Sequence, residues 1–126
     1  MDQYIAGFFD GEGYIGLAPG YPCILICQKY NKIVLDEMRD YLNIGSVYNR
    51  GKNYSDTYQW KISRTEEIEK FFLKILPYVK IKKEECDWMK SNLHYWIGYN
   101  RWNITEEVKN QRLNLRQEEV KRFRKR

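Results

Sequence analysis

The stretch Ile5-Ala6-Gly7-Phe8-Phe9-Asp10-Gly11-Glu12-Gly13 decides how the rest of the chain is read. As a helix it puts Ile5, Phe8 and Phe9 on one side at i, i+3, i+4 spacing. The other side, Ala6, Gly7, Asp10 and Gly11, is nearly all small. With no charged face, such a helix is expected to be buried all round. Its small side invites a second backbone, so the expected neighbour is another helix rather than a sheet. Glycine at position 11 or 13 should end it in the left-handed conformation. The same residues can also be read as a buried strand closing on a Gly-Glu-Gly turn. In the helical reading Glu12 stands at a C-terminus, where free carbonyls already make the potential negative. Two copies side by side would gather two Glu12 carboxylates and carbonyl oxygens such as that of Gly11. Such a hard-oxygen set suits Mg²⁺, with Mn²⁺ as a substitute.

At 126 residues with net charge +5 and 16% aromatic content, the chain reads as one domain, moderately basic, favouring a polyanionic partner. The apolar runs are too short to span a membrane and the N-terminus lacks a signal-peptide pattern, so an intracellular, membrane-free setting is expected. Three cysteines without a CxxC pair, beside a single histidine (His94), argue against a disulfide framework or a zinc site.

Further along, Tyr14–Ala18 alternates, a Pro-Gly turn follows, and Cys23–Cys27 makes a second apolar strand. Asn31 can cap a helix buried through Val34, Leu35, Met38, Tyr41 and Leu42. Two strands, Ser46–Arg50 and Thr57–Ser63, flank a polar turn. A helix with the stripe Ile68, Phe71, Phe72, Ile75 and Leu76 then runs to Pro77. Hairpin–helix thus occurs twice after the first helix. The expectation is an α+β fold, helix-strand-strand-helix-strand-strand-helix (αββαββα), with a four-stranded antiparallel sheet and helices on one face. A core of about residues 1–83 would be followed by two C-terminal helices, 83–126. Thr105 can cap the second, whose basic end, Lys121 to Arg126, reads as a solvated terminus or a phosphate contact.

The nine residues from Ile5 to Gly13 resemble the signature of the LAGLIDADG homing endonucleases, with Ile5 for Leu, Phe8-Phe9 for Leu-Ile, Gly11 for Ala and Glu12 for Asp. The resemblance extends over residues 4–83. Gln28 ends the second strand where similar nucleases with one signature helix place a glutamine beside the metal. Lys32 matches a basic position nearby. Pro77-Tyr78-Val79-Lys80-Ile81-Lys82 resembles the family's Pro–aromatic–x–Lys–x–Lys run, which implies that Lys82 reaches the active site. What the resemblance implies is metal-dependent hydrolysis of double-stranded DNA at a long pseudo-palindromic site, with Glu12 as metal ligand and Gln28, Lys82 and Lys32 around it. Each also has a plainer reading: Gln28 as a strand end, the lysines as a solvated helix start.

A single signature stretch supplies half of a two-carboxylate site, so a homodimer through Ala6, Gly7, Asp10 and Gly11 is expected. Asp10 should bond backbone of the partner helix. The sheet face free of helices should read bases, because Thr57, Gln59, Lys61 and Ser63 alternate with Tyr58, Trp60 and Ile62, and Ser46, Tyr48 and Arg50 alternate with Val47. The expected DNA contacts are Lys29, Tyr48, Arg50, Lys52, Gln59, Lys61 and Ser63, against the ordinary solvated side of an antiparallel sheet. The alternative function is an intron maturase or other DNA- or RNA-binding protein that keeps the fold without cleavage.

Overall fold

The longest apolar strands lie in the middle of the sheet, and everything else is arranged around them. In the computed structural model, which describes residues 1–124, the elements run α1 (Asp2–Glu12), β1 (Gly13–Gly16), β2 (Cys23–Lys29), α2 (Lys32–Leu42), β3 (Ser46–Asn49), β4 (Thr57–Ile62), α3 (Thr65–Ile75), α4 (Lys83–Asn92) and α5 (Glu106–Glu119). All pairings are antiparallel, in the order β1-β2-β4-β3. Ile24 and Ile26 of β2 pair with Ile62 and Trp60 of β4, and all four are fully buried. Helices cover that face alone, which is the α+β arrangement expected from the alternating pattern.

The helix α1 packs on its own sheet and on α3, contrary to the expectation of a helix–helix neighbour only. Ile5, Ala6, Phe9 and Asp10 point inward, and the Phe9 ring meets Phe71 edge-on at 5.3 Å. Helix α1 ends without a left-handed residue. Gly13 is extended at φ −88°, and the strand begins there. Glycine is required for closeness instead: a Cβ at position 13 would stand 2.7 Å from the Phe9 carbonyl oxygen and collide with the Phe9 ring.

Asn31 caps α2 by accepting from the Val34 N–H at 3.3 Å, and Asn43 ends it in the left-handed conformation. Tyr41 lies on the outer side of α2, exposed rather than in the buried stripe. In α3 the stripe Ile68, Phe71, Phe72 and Ile75 is buried as read.

The C-terminal helices belong to the same core, since Cys86, Trp88, Met89, Leu93, Leu115 and Phe123 join the cluster formed by α1, α3 and the sheet. Thr105 caps α5 through the Val108 N–H. The described part of the basic end is no frayed terminus. It continues as a π-helical turn, Val120–Arg124, with Phe123 buried against Trp88 at 5.6 Å. Lys125 and Arg126 lie outside the described residues.

This segment closes the free edge of β1. Glu119, 1% exposed, accepts the Leu17 N–H at 2.9 Å, and Arg124 donates to the Ile15 carbonyl. Edge strands leave such groups unpaired unless something covers them. Arg116 and Arg124 in turn neutralise Glu119, and Arg124 also bridges to Glu85 at 2.9 Å. The side chain that would clash most with this arrangement is absent, because a Cβ at Gly16 would run into the Glu119 carboxylate and the Tyr14 hydroxyl.

Candidate active site and nucleic-acid interface

Two of the candidate catalytic residues, Glu12 and Lys82, lie at the C-terminal end of α1. Glu12 is exposed there and has no side-chain partner among the described residues. Asp10, two residues back on the inner side and expected to bond a partner helix, is engaged by its own chain. Its carboxylate accepts three backbone N–H groups of its own chain, from Lys80 at 2.7 Å and from Ile81 and Lys82 at 3.1 Å each. The Lys82 ammonium then folds back onto the Asp10 carbonyl at 2.6 Å, 5.8 Å from the Phe9 ring centroid. A cation at this position opposes the negative end of the helix dipole.

The strand register carries Gln28 of β2 past the start of β1, on the side of the α1 end. Gly13 pairs with Ile26, so Gln28 stands two residues past the point where β1 gives way to α1. It pairs with Tyr58 and shares the helix-covered side with Ile24 and Ile26. Lys32 is not drawn in. Its ammonium bonds Asp36 at 2.9 Å along the surface of α2, an ordinary i, i+4 pair. Burial, reinforced by the Glu85 charge, pushes the neighbouring Cys86 thiol up to about 12, so it remains protonated and is no nucleophile.

Among the described residues no three His, Cys, Asp or Glu side chains converge. The Gly13 N–H and Lys82 ammonium occupy the Phe9 and Asp10 carbonyls. The Glu12 carboxylate and the Gly11 carbonyl are among the oxygens at this helix end. Hard oxygens of this kind fit Mg²⁺, and a second copy would double them.

The outer side of α1 carries Gln3, Tyr4, Gly7 and Gly11, all exposed. A Cβ at Gly7 or Gly11 would meet nothing within 4 Å, so neither glycine is needed by its own protomer. A groove of about 430 Å³ runs beside this face, lined by Gln3, Gly7, Asp10, Pro77, Tyr78 and Lys80. Ala6 departs from the expected interface. It is fully buried in the protomer's own core, and Asp10 is engaged as described.

The register places the expected base-reading side chains together. Tyr48 pairs with Gln59 and Ser46 with Lys61, and Gln59 and Lys61 pair with Cys27 and Leu25, all on the face without helices. Three details were not readable from the pattern. Gln59 is only 7% exposed, because the Tyr48 hydroxyl lies over it and bonds its side-chain oxygen at 2.8 Å. Lys61 donates to the Tyr21 hydroxyl at 2.9 Å, which holds it in its charged form. Arg50 stacks on Tyr54 at 4.0 Å, in the turn that also carries exposed Lys52. Lys29, likewise exposed, lies 5.2 Å over Tyr30, and Ser63 is half-buried just past β4.

No family model and no curated protein matches the chain. Solved structures do. The archaeal intron-encoded homing endonuclease I-Vdi141I, solved with DNA, superposes at a TM-score of 0.72 with 21% identity over 95% of this chain and 82% of its own. The homing endonuclease I-TnaI gives 0.70 and 24% over 94% and 86%. I-CvuI, solved with its target in the presence of calcium, gives 0.65 and 16% over 77% and 68%. The coverage takes in the C-terminal helices as well as the region that carries the motif. Four-stranded sheet, signature helix and C-terminal helices together, this chain has the LAGLIDADG homing endonuclease fold.

Proposed function

We propose that the protein is a site-specific DNA endonuclease that acts as a homodimer on a long pseudo-palindromic duplex. The observation that carries this is the corner at the end of α1. An exposed acid, Glu12, stands at a helix C-terminus beside a docked lysine, Lys82, at one end of a sheet whose open face is lined by Tyr48, Gln59 and Lys61. That the similar I-Vdi141I and I-CvuI were solved with DNA supports the reading.

Glu12 and the Gly11 carbonyl would hold a divalent cation, Mg²⁺ by their oxygen chemistry, which when bound polarises a phosphoryl oxygen and activates water. Lys82 offsets charge that develops on the phosphate, and the Gln28 amide orients water at the same corner. The exposed glycine face of α1 packs on its copy, which brings two Glu12 carboxylates together and sets two sheets side by side. Bases are read by Arg50, Lys61 and the Tyr48–Gln59 pair, while Lys29 and Lys52 hold phosphates. The test is a cleavage selection on randomised pseudo-palindromic duplexes with Mg²⁺. Recovery of one preferred site supports the reading, and binding to RNA or DNA with no cutting of any duplex would refute it.

A further inference from the structure

Asp10 and Lys82 are 72 positions apart, yet both ends of Asp10 act on that one residue. The carboxylate, nearly buried, holds the Lys80, Ile81 and Lys82 amides. The same residue's carbonyl receives the Lys82 ammonium. Buried Val79 and the start of α4 anchor the two ends of this segment, but Ile81 in its middle is 77% exposed and contributes no core contact, so its amides are held by Asp10. A lysine chain with four rotatable bonds does not settle at one point unless its backbone is fixed first.

We propose that Asp10 is a positioning residue. Its carboxylate fixes the Lys80–Lys82 backbone so that the Lys82 ammonium is delivered to the end of α1, two residues from Glu12. The helix thus carries both the acid that faces the phosphate and the clamp that places the lysine. The catalytic half of this role rests on the nuclease reading. The structural half does not.

Two measurements test it. The first is single-turnover cleavage beside a DNA-binding titration for wild type, Asp10→Asn, Lys82→Ala and the double variant. An amide in place of the carboxylate keeps the size but weakens the clamp. Asp10→Asn should slow the chemical step on the order of 10²-fold, as misplacement by about 1 Å does. Its DNA affinity should stay within about twofold of wild type, and the double variant should cut no more slowly than Lys82→Ala. Wild-type rates in Asp10→Asn, or losses that multiply in the double variant, would overturn the assignment. The second measurement is amide hydrogen exchange on the wild-type chain, which decides the matter even if Asp10→Asn does not fold. The Lys80, Ile81 and Lys82 amides should exchange as slowly as sheet amides despite their exposed surroundings, and fast exchange refutes the clamp. Slow exchange in a wild-type chain that cuts no duplex would instead strike down the nuclease reading, and with it the task given to Lys82.

Discussion

Replacing Glu119 by alanine should be among the most destabilising single changes outside the central core. Glu119 is 1% exposed and accepts the Leu17 N–H, while its charge balances Arg116 and Arg124. Breaking a fully buried pair costs about 3–5 kcal/mol. Here the arginine side chains are 39% and 28% exposed, and Arg124 keeps Glu85, so the charge part is discounted to about 2 kcal/mol. The Leu17 N–H left without its acceptor adds about 1 kcal/mol. At about 2.1 cal/mol/K per residue of unfolding entropy, a total of about 3 kcal/mol lowers the melting temperature by about 10 °C. The control is Arg122→Ala, which removes an exposed pair with Glu84 and should cost less than about 1 kcal/mol. Urea and thermal unfolding of the two variants decide it. Equal, small losses would show that the C-terminal segment does not hold the β1 edge.

Gly7→Leu should leave the chain folded, since its Cβ meets nothing within 4 Å, yet separate the proposed homodimer. Sedimentation that shows an unaltered dimer would move the interface elsewhere. Tyr48→Phe should release the Gln59 amide and alter base preference at the same symmetric pair of positions as Gln59→Ala, by about 1–3 kcal/mol. A selection that recovers the wild-type site for both variants would contradict the assigned face. Because burial raises the Cys86 thiol from 9.0 to about 12, the native state holds this proton above pH 9 while the unfolded chain loses it. Stability should therefore be full below pH 9 and fall as pH rises toward 12, by about 2 kcal/mol between pH 9 and 10.5 at most. Urea midpoints for Cys86→Ala, which lacks the thiol, should show less of this alkaline loss.

The helical stripes, the strand alternation and the face shared by Tyr48, Gln59 and Lys61 were legible because they depend on near neighbours in sequence. The grouping of Glu12, Gln28 and Lys82 came only from the family likeness, since no periodicity ties residues 12, 28 and 82. The rest depends on distant partners. Asp10 meets amides about 70 positions away, and β1 is closed by side chains more than 100 positions away. A small residue on a helix gives no sign of whether it serves its own core or another copy. Thus Ala6 and Gly7 looked alike in the sequence and fall on opposite sides of α1. The basic end was only partly legible: Lys121 and Arg122 are exposed as read, but charge alone does not tell that Arg122 and Arg124 have acidic partners on α4.

In the proposed mechanism, phosphodiester hydrolysis depends on the acid of Glu12 at the end of α1. Single-turnover cleavage and DNA binding, measured with Mg²⁺ on the selected duplex for wild type and Glu12→Gln, test it directly. Both proteins should bind, the variant at least as tightly because less negative charge faces the phosphates, and only the wild type should cut. Cleavage by Glu12→Gln at the wild-type rate would contradict the account.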